Sequence, residues 1–152
     1  MTKPHWEMDL LVIGAGPAGI ATAVEARRAG IERIQILEKG HTHSFSIEKL
    51  YTSGKRVDKA YLGQEVACEG KACIVDGTRE SVLRTMDALV ATYELPIQYD
   101  TEVRSIQQGE DGTFLVEDST GWVHRAKTVV IAIGVYGRPN KPDYPIPSSL
   151  RD

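Results

Sequence analysis

The stretch Met8–Gly30, MDLLVIGAGPAGIATAVEARRAG, decides how the rest of the chain is read. Asp9–Ile13 has the length and composition of a short buried strand. Three glycines follow, at Gly14, Gly16 and Gly19. They lead into an alanine-rich stretch, Ala18–Ala29, in which Ile20 and Val24 supply helical packing faces. Arg27 and Arg28 fall in the last turn, where cations suit the helix dipole, and Gly30 is placed to close the helix. Ile34–Glu38, IQILE, reads as a second strand. A β-α-β start implies a parallel pair joined by a right-handed crossover. Glycine costs chain entropy and adds no side chain to a core, so three of them at one strand-to-helix junction need a reason.

A Gly-x-Gly-x-x-Gly run that follows a strand, opens a helix and is answered by an acid at the end of the next strand supplies that reason. Here the acid is Glu38, 24 residues after Gly14. In this setting Gly14 permits the tight turn, Gly16 leaves the backbone open to a pyrophosphate, and Gly19 lets the helix lie close to the sheet. The helix N-terminus offers free N–H groups and partial positive charge to the phosphates. Glu38 accepts hydrogen bonds from a ribose diol and repels a 2′-phosphate. The expected adenosine is therefore that of FAD or NAD rather than NADP.

The composition sets bounds on everything else. The chain has 152 residues, one domain by length, with 41% apolar and 26% charged residues. Lys and Arg number 18 against 21 Asp and Glu, a net charge of −3, so no basic excess points to nucleic acid or to a membrane surface. The longest apolar runs, Leu10–Ile13 and Val129–Ile133, are far too short to span a bilayer. The first residues, MTKPHWEMD, lack the apolar segment of a signal peptide. A cytoplasmic location is expected.

Beyond Glu38, residues 40–80 contain five glycines and no sustained period, and read as a long, partly ordered excursion. Thr78 or Ser81 is placed to cap a helix over Ser81–Glu94, whose Val82, Met86, Leu89, Val90 and Tyr93 keep helical spacing. PIQY (96–99) is a short strand. EVRSIQQ, TFLVED and GWVHRAK then alternate between turns, as a three-stranded antiparallel meander does. TVVIAIG (128–134) returns as a separate, fully apolar strand of the kind found at the centre of a parallel sheet. The proline-rich tail, 138–152, reads as an extended linker.

Together GAGPAGIATA, the EKG after the second strand, the meander and TVVIAIGVYGRPNKP resemble the FAD domain of flavoproteins with two dinucleotide-binding domains. Thioredoxin reductases, bacillithiol-disulfide-reductase-like proteins and flavin-containing monooxygenases belong to that superfamily. The resemblance implies an α/β fold, a Rossmann-like FAD/NAD(P)-binding parallel sheet carrying a three-stranded antiparallel meander. It implies that FAD lies on Gly14, Gly16, Pro17, Ala18, Gly19, Glu38 and Lys39, with Val103 at the adenine. A second fingerprint falls at Ala132 and Gly134, where Ile133 stands in place of the usual threonine. The reaction implied runs from NAD(P)H through FAD to a disulfide or similar acceptor and needs a second nucleotide domain, which is absent from the sequence. Residues 1–137 are thus expected to be the N-terminal portion of an FAD domain, and 138–152 a linker toward an NAD(P)H domain of a longer parent, with self-association as an expectation for the chain alone. A small-molecule dinucleotide is the expected partner.

Other residues are less telling. Cys68 and Cys73 share the C-x4-C spacing of the redox disulfide in glutathione-reductase-like flavoproteins, but they lie 30 residues beyond Glu38 without its glycine-rich setting, and two ordinary thiols are expected. His41 and His43 read as an exposed His-x-His, too few ligands for a metal. Trp6 and Trp122 read as packing residues. No catalytic residue is assigned. HSFSIEKLY, where flavin monooxygenases carry Phe-x-Gly-x-Trp, favours the reductase branch. A monooxygenase FAD domain and a non-catalytic nucleotide-binding module stay open beside it.

Overall fold

The computed structural model describes residues 7–60, 63, 64 and 67–134. The elements run β1 (Glu7–Ile13), α1 (Pro17–Arg28), β2 (Ile34–Leu37), α2 (Phe45–Leu50), β3 (Arg56–Val57), β4 (Gly77–Thr78), α3 (Arg79–Thr92), β5 (Ile97–Gln98), β6 (Val103–Gln108), β7 (Phe114–Asp118) and β8 (Val123–Ile131). Leu10–Ile13 carry no polar side chain, and the fold buries all four. Because side chains alternate along a strand, Leu10 and Val12 pack with Ile20, Ala23 and Val24 of α1 and with Met86 of α3. Leu11 and Ile13 face the other way, onto Leu37, Val116 and Ala126. Each fully buried aliphatic side chain contributes about 1.5–3 kcal/mol, so β1 is the strand on which both layers rest.

The main sheet has the order β5-β2-β1-β8-β7-β6. β5, β2, β1 and β8 are mutually parallel, and β7 and β6 add on antiparallel. The β-α-β opening and the meander read from the sequence are both present. The third meander strand and the returning apolar strand, however, are a single strand, β8. Its residues Val123–Ala126 pair antiparallel with β7 while its other edge runs parallel to β1, from Arg125 opposite Glu7 to Ile131 opposite Ile13. Lys127 and Thr128 look like a boundary in the sequence, yet Thr128 stays in register opposite Leu10. Beyond Ala126 the strand pairs, among the described residues, with β1, and Ile131 and Ile133 are 61% and 67% exposed. Among the described residues the apolar end of β8 is therefore less covered than its composition suggests.

The region 40–80 holds the short helix α2 and the hairpin β3–β4. Helix α3 begins at Arg79, two residues early. Thr78 caps it, and Ser81 returns the bond in a capping box, with the Ser81 N–H donating to Thr78 Oγ1 and the Thr78 N–H to Ser81 Oγ. The tail 138–152 and Trp6 lie outside the described residues, while Trp122 is 45% exposed at the β7–β8 turn. No helix among the described residues is long and apolar enough to cross a membrane.

That turn is built on Asp118, 2% exposed. Its Oδ1 accepts from the Thr120 N–H at 2.8 Å, the Thr120 hydroxyl at 2.6 Å and the Trp122 N–H at 3.2 Å. Its Oδ2 accepts from His124 Nε2 at 2.9 Å. Burial pushes the carboxyl upward, but the hydrogen bonds from Thr120, His124 and Trp122 outweigh it and hold the group at about 2. A depressed folded value makes this a stabilising term above the ordinary aspartate value that is lost as protons bind. Denaturant unfolding should therefore show stability falling between pH 3.8 and about 2. Asp118→Asn should flatten that fall and cost about 1.5–3 kcal/mol at neutral pH. An unchanged acid limb in the variant would remove Asp118 as its source.

Candidate functional site

The three glycines have three separate steric reasons. Gly14 has φ +102, and a β-carbon there would lie 2.5 Å from the Ala132 carbonyl oxygen. The backbones of the glycine loop and of the segment after β8 thus touch, and the Ala132 N–H donates to Ile13 O at 2.8 Å. A β-carbon at Gly19 would fall on the Gly14 carbonyl, so α1 seats directly on the loop. Gly16 is the opposite case, since apart from its chain neighbours and the helix's own backbone no described residue places an atom within 4 Å of a β-carbon built on it. It is the N-cap of α1, Pro17 is the first helical residue, no side chain caps the helix, and no acid lies in its first turn. The first-turn N–H groups and the positive end of the dipole face that open space.

Glu38, just beyond β2, is 8% exposed. Its Oε2 accepts from the Ala15 N–H and its Oε1 from the Gly40 N–H, both at 2.7 Å. The carboxylate thus ties the glycine loop to the end of β2, and each oxygen keeps a further lone pair for a ligand. The Thr101 N–H donates to Glu38 O at 2.9 Å. Two residues on, Val103 opens β6 and packs on the Leu11–Ile13 face of the sheet. Gly14, Gly19, Glu38, Val103 and Ala132 are therefore gathered at the carboxyl edge of β1, β2 and β8, where open α/β sheets bind ligands. Ala18 and Lys39 are exposed. Gly134, also exposed, has φ +69, a backbone conformation that favours glycine. Among the described residues no hydrogen bond ties Lys39 or Gly134 into the cluster.

The sequence reading missed one part of this edge. His43, expected to be exposed, is 8% exposed. Its Nε2 lies 2.9 Å from Asp87 Oδ1 on α3 and its Nδ1 3.2 Å from Ser44 Oγ. Ser44 adopts the left-handed conformation, φ 52, and its N–H donates to Ala15 O at 2.8 Å. Burial raises the Tyr99 phenol above its ordinary 10.0, while a hydrogen bond with the His43 backbone pulls the other way. His41 is exposed as expected and meets Phe45 edge-on at 5.2 Å, with Lys49 5.3 Å above the Phe45 ring. These three and Glu48 line an open pocket on α2. No local signal in HTHS marks His43 or Ser44 as buried, because their partners lie on α3 and in the glycine loop. Among the described residues no group of three or more His, Cys, Asp or Glu is placed to hold a metal.

The family described as pyridine nucleotide-disulphide oxidoreductase matches residues 11–151. The chain belongs to that family. The ferredoxin–NADP reductase 2 of Latilactobacillus sakei subsp. sakei (strain 23K) is 28% identical to this family member over 136 residues, 88% of this chain and 37% of the reductase. The sarcosine oxidase subunit alpha of Corynebacterium sp. (strain U-96) is 30% identical over 137 residues, 89% of this chain and 14% of the subunit. This pyridine nucleotide-disulphide oxidoreductase chain thus spans little more than a third, or less, of those relatives. Among solved structures, the bacillithiol disulfide reductase of Bacillus cereus matches with a TM-score of 0.72 at 22% identity, over 91% of this chain and 43% of that one. The NADP+-bound cyclohexanone monooxygenase of Rhodococcus sp. Phi1 matches with a TM-score of 0.73 at 24% identity, over 94% and 28%. At these identities the two structures speak for the shared fold.

In this family member Cys68 and Cys73 are not two free thiols but a disulfide, with Cα atoms 5.6 Å apart. The turn at Gly70–Lys71 brings them together. It is held on α1, where the Lys71 N–H donates to Glu25 Oε1 at 2.8 Å and keeps the Glu25 carboxyl below its ordinary value. Gly70 abuts the same carboxylate, and a β-carbon there would lie 2.8 Å from Glu25 Oε1, so the Glu25 side chain would have to shift. Glu25 lies nine residues along α1 from Gly16, about 13 Å along the helix axis, so the pair sits apart from the glycine loop. Thiol alkylation with mass spectrometry should label neither cysteine before reduction and both after it. Because the closed loop is so short, reduction should lower stability by only about 2 kcal/mol. Labelling of both cysteines in unreduced protein handled without reductant would rule the pairing out.

Proposed function

We propose that this chain is the FAD-binding portion of an NAD(P)H-dependent flavoprotein oxidoreductase, passing electrons from NAD(P)H through FAD to a disulfide or similar acceptor. The observation that carries the reading is the opening at Gly16. There an uncapped helix N-terminus and a side-chain-free backbone meet a clamped acid, Glu38, at the next strand end. This geometry fits a dinucleotide. The first-turn N–H groups of α1 would hold its pyrophosphate, and Glu38 would take the adenosine diol with the lone pairs that Ala15 and Gly40 leave free. Val103 and Lys39 would border the adenine, and Ala132 and Gly134 would floor the site. A carboxylate at that position disfavours a ribose 2′-phosphate by charge repulsion, which supports FAD here and sends the NADP named in the relatives to another part of a whole protein. Bound FAD supplies hydride acceptance and onward electron transfer. The residues described here bind and orient the adenosine half. Residues 1–137 would form the FAD domain and 138–152 a linker toward an NAD(P)H domain. The fold shared with cyclohexanone monooxygenase keeps a second reading, the FAD domain of a monooxygenase.

Titration calorimetry with ADP, adenosine 2′,5′-diphosphate and FAD tests the site. ADP should bind more tightly than the 2′-phosphate, and FAD should bind the chain weakly. Gly16→Val should abolish binding with the circular dichroism near native. Glu38→Ala should weaken ADP about ten- to a hundredfold, as loss of a hydrogen bond to a charged acceptor does. Steady NAD(P)H oxidation is not expected from these residues alone. Intact ADP binding in Gly16→Val would reduce the glycine loop to a turn.

A further inference from the structure

We propose that Asp87, His43 and Ser44 form a positioning chain that holds the glycine loop in its ligand-ready shape by fixing the peptide between Ala15 and Gly16. This rests on the dinucleotide reading of the loop. It starts from a buried histidine that such a site does not otherwise use. A carboxylate only accepts hydrogen bonds, so the Nε2 that lies 2.9 Å from Asp87 Oδ1 carries a proton. The ring is thereby oriented, and its Nδ1 meets Ser44 Oγ at 3.2 Å. Ser44 is 2% exposed and held in a left-handed conformation that a serine does not favour, so its neighbours must hold it there. In that conformation its own N–H points at Ala15 O, 2.8 Å away.

The peptide group is planar and trans. Its N–H therefore points opposite to its C=O. Drawing Ala15 O toward Ser44 turns the Gly16 N–H away from Ser44, and among the described residues that N–H has no acceptor. The preceding peptide is fixed as well, since the Ala15 N–H is bound by Glu38. Residue 15 is thus gripped on both sides, by the acid after β2 and by a serine whose conformation is braced from α3. Asp87 is 67% exposed at its side chain, and among the described residues its hydrogen bond goes to His43 and not to the loop, so that bond reaches the site through His43 and Ser44.

Two readouts test the chain, one with ligand and one without. In the 152-residue protein, His43→Ala and Asp87→Asn should each speed amide hydrogen exchange at Ala15 and Ser44, whose N–H groups bond Glu38 and Ala15, while exchange in β8 stays as in the wild type. Each should weaken ADP binding about tenfold. Their effects should be non-additive in the double variant, because both remove one connection. His43→Gln, whose amide can still donate to Asp87, should restore part of the protection. Exchange at Ala15 and Ser44 and ADP affinity both within about twofold of wild type in Asp87→Asn would overturn the proposal, as would a uniform rise in exchange across the whole sheet. Asp87 is exposed enough that its variant folds even where His43→Ala does not. If the wild-type chain binds no ADP, the dinucleotide reading fails while the exchange measurement still decides the positioning chain.

Discussion

Two backbones meet where Gly14 has no side chain. A β-carbon there would lie 2.5 Å from the Ala132 carbonyl oxygen, and the carboxyl edge of the sheet is arranged around its absence. The contact sets how closely the end of β8 approaches the end of β1, and the Ala132 N–H to Ile13 O bond fits that separation. Gly19 repeats the arrangement one helical turn on, letting α1 rest on the Gly14 carbonyl. With both glycines in place, two strands and a helix converge on one loop without a side chain between them. The third glycine then leaves a side of the loop open among the described residues.

Around that loop the charges are divided. The α1 N-terminus presents uncompensated N–H groups and no acid, which suits phosphate oxygens. Glu38 presents a carboxylate whose orientation is set by two backbone donors, which suits hydroxyls. The acid that would select the sugar also holds the loop that would select the phosphates, so the two halves of the site are mechanically one. Packing alone would leave Ala15 free to rotate its peptides. Hydrogen bonds on both its N–H and its C=O remove that freedom.

The parts of this molecule that were legible in the sequence are those whose causes are local. The β1–α1–β2 opening follows from an apolar run, a glycine pattern and a helical face within 30 residues. The meander follows from alternation between turn residues. The α3 start shifted by two residues because a capping box, itself local, outweighed the apolar pattern. Non-local causes were not legible. The helix α2 has six residues, too few to persist on propensity alone, and it exists where Ser44 is tied to Ala15 and His43 to Asp87, 44 positions away. His43 looks exposed because its neighbours in sequence are polar. β8 looked like two strands because its two edges have different partners, and Lys127 and Thr128 fall where β7 leaves off. The disulfide depends on a turn docked onto α1 through Glu25, which no spacing of cysteines encodes.

The pairing of β1 with β8 also fixes the order in which the molecule can be assembled. Gly14 and Ala132 are 118 positions apart in sequence yet in contact in space. Closing so long a loop costs entropy before any contact rewards it, and contacts of this kind make folding slow. During synthesis, β1, α1 and β2 leave the ribosome before β8 and can pair, but one side of β1 stays open until β8 arrives. Through that interval Leu11 and Ile13 lack Val116 and Ala126 as cover, and the glycine loop lacks its floor. The incomplete chain is therefore adhesive along that face while its ligand-binding edge is unfinished, and the arrival of β8 both covers Leu11 and Ile13 and supplies Ala132 to the glycine loop.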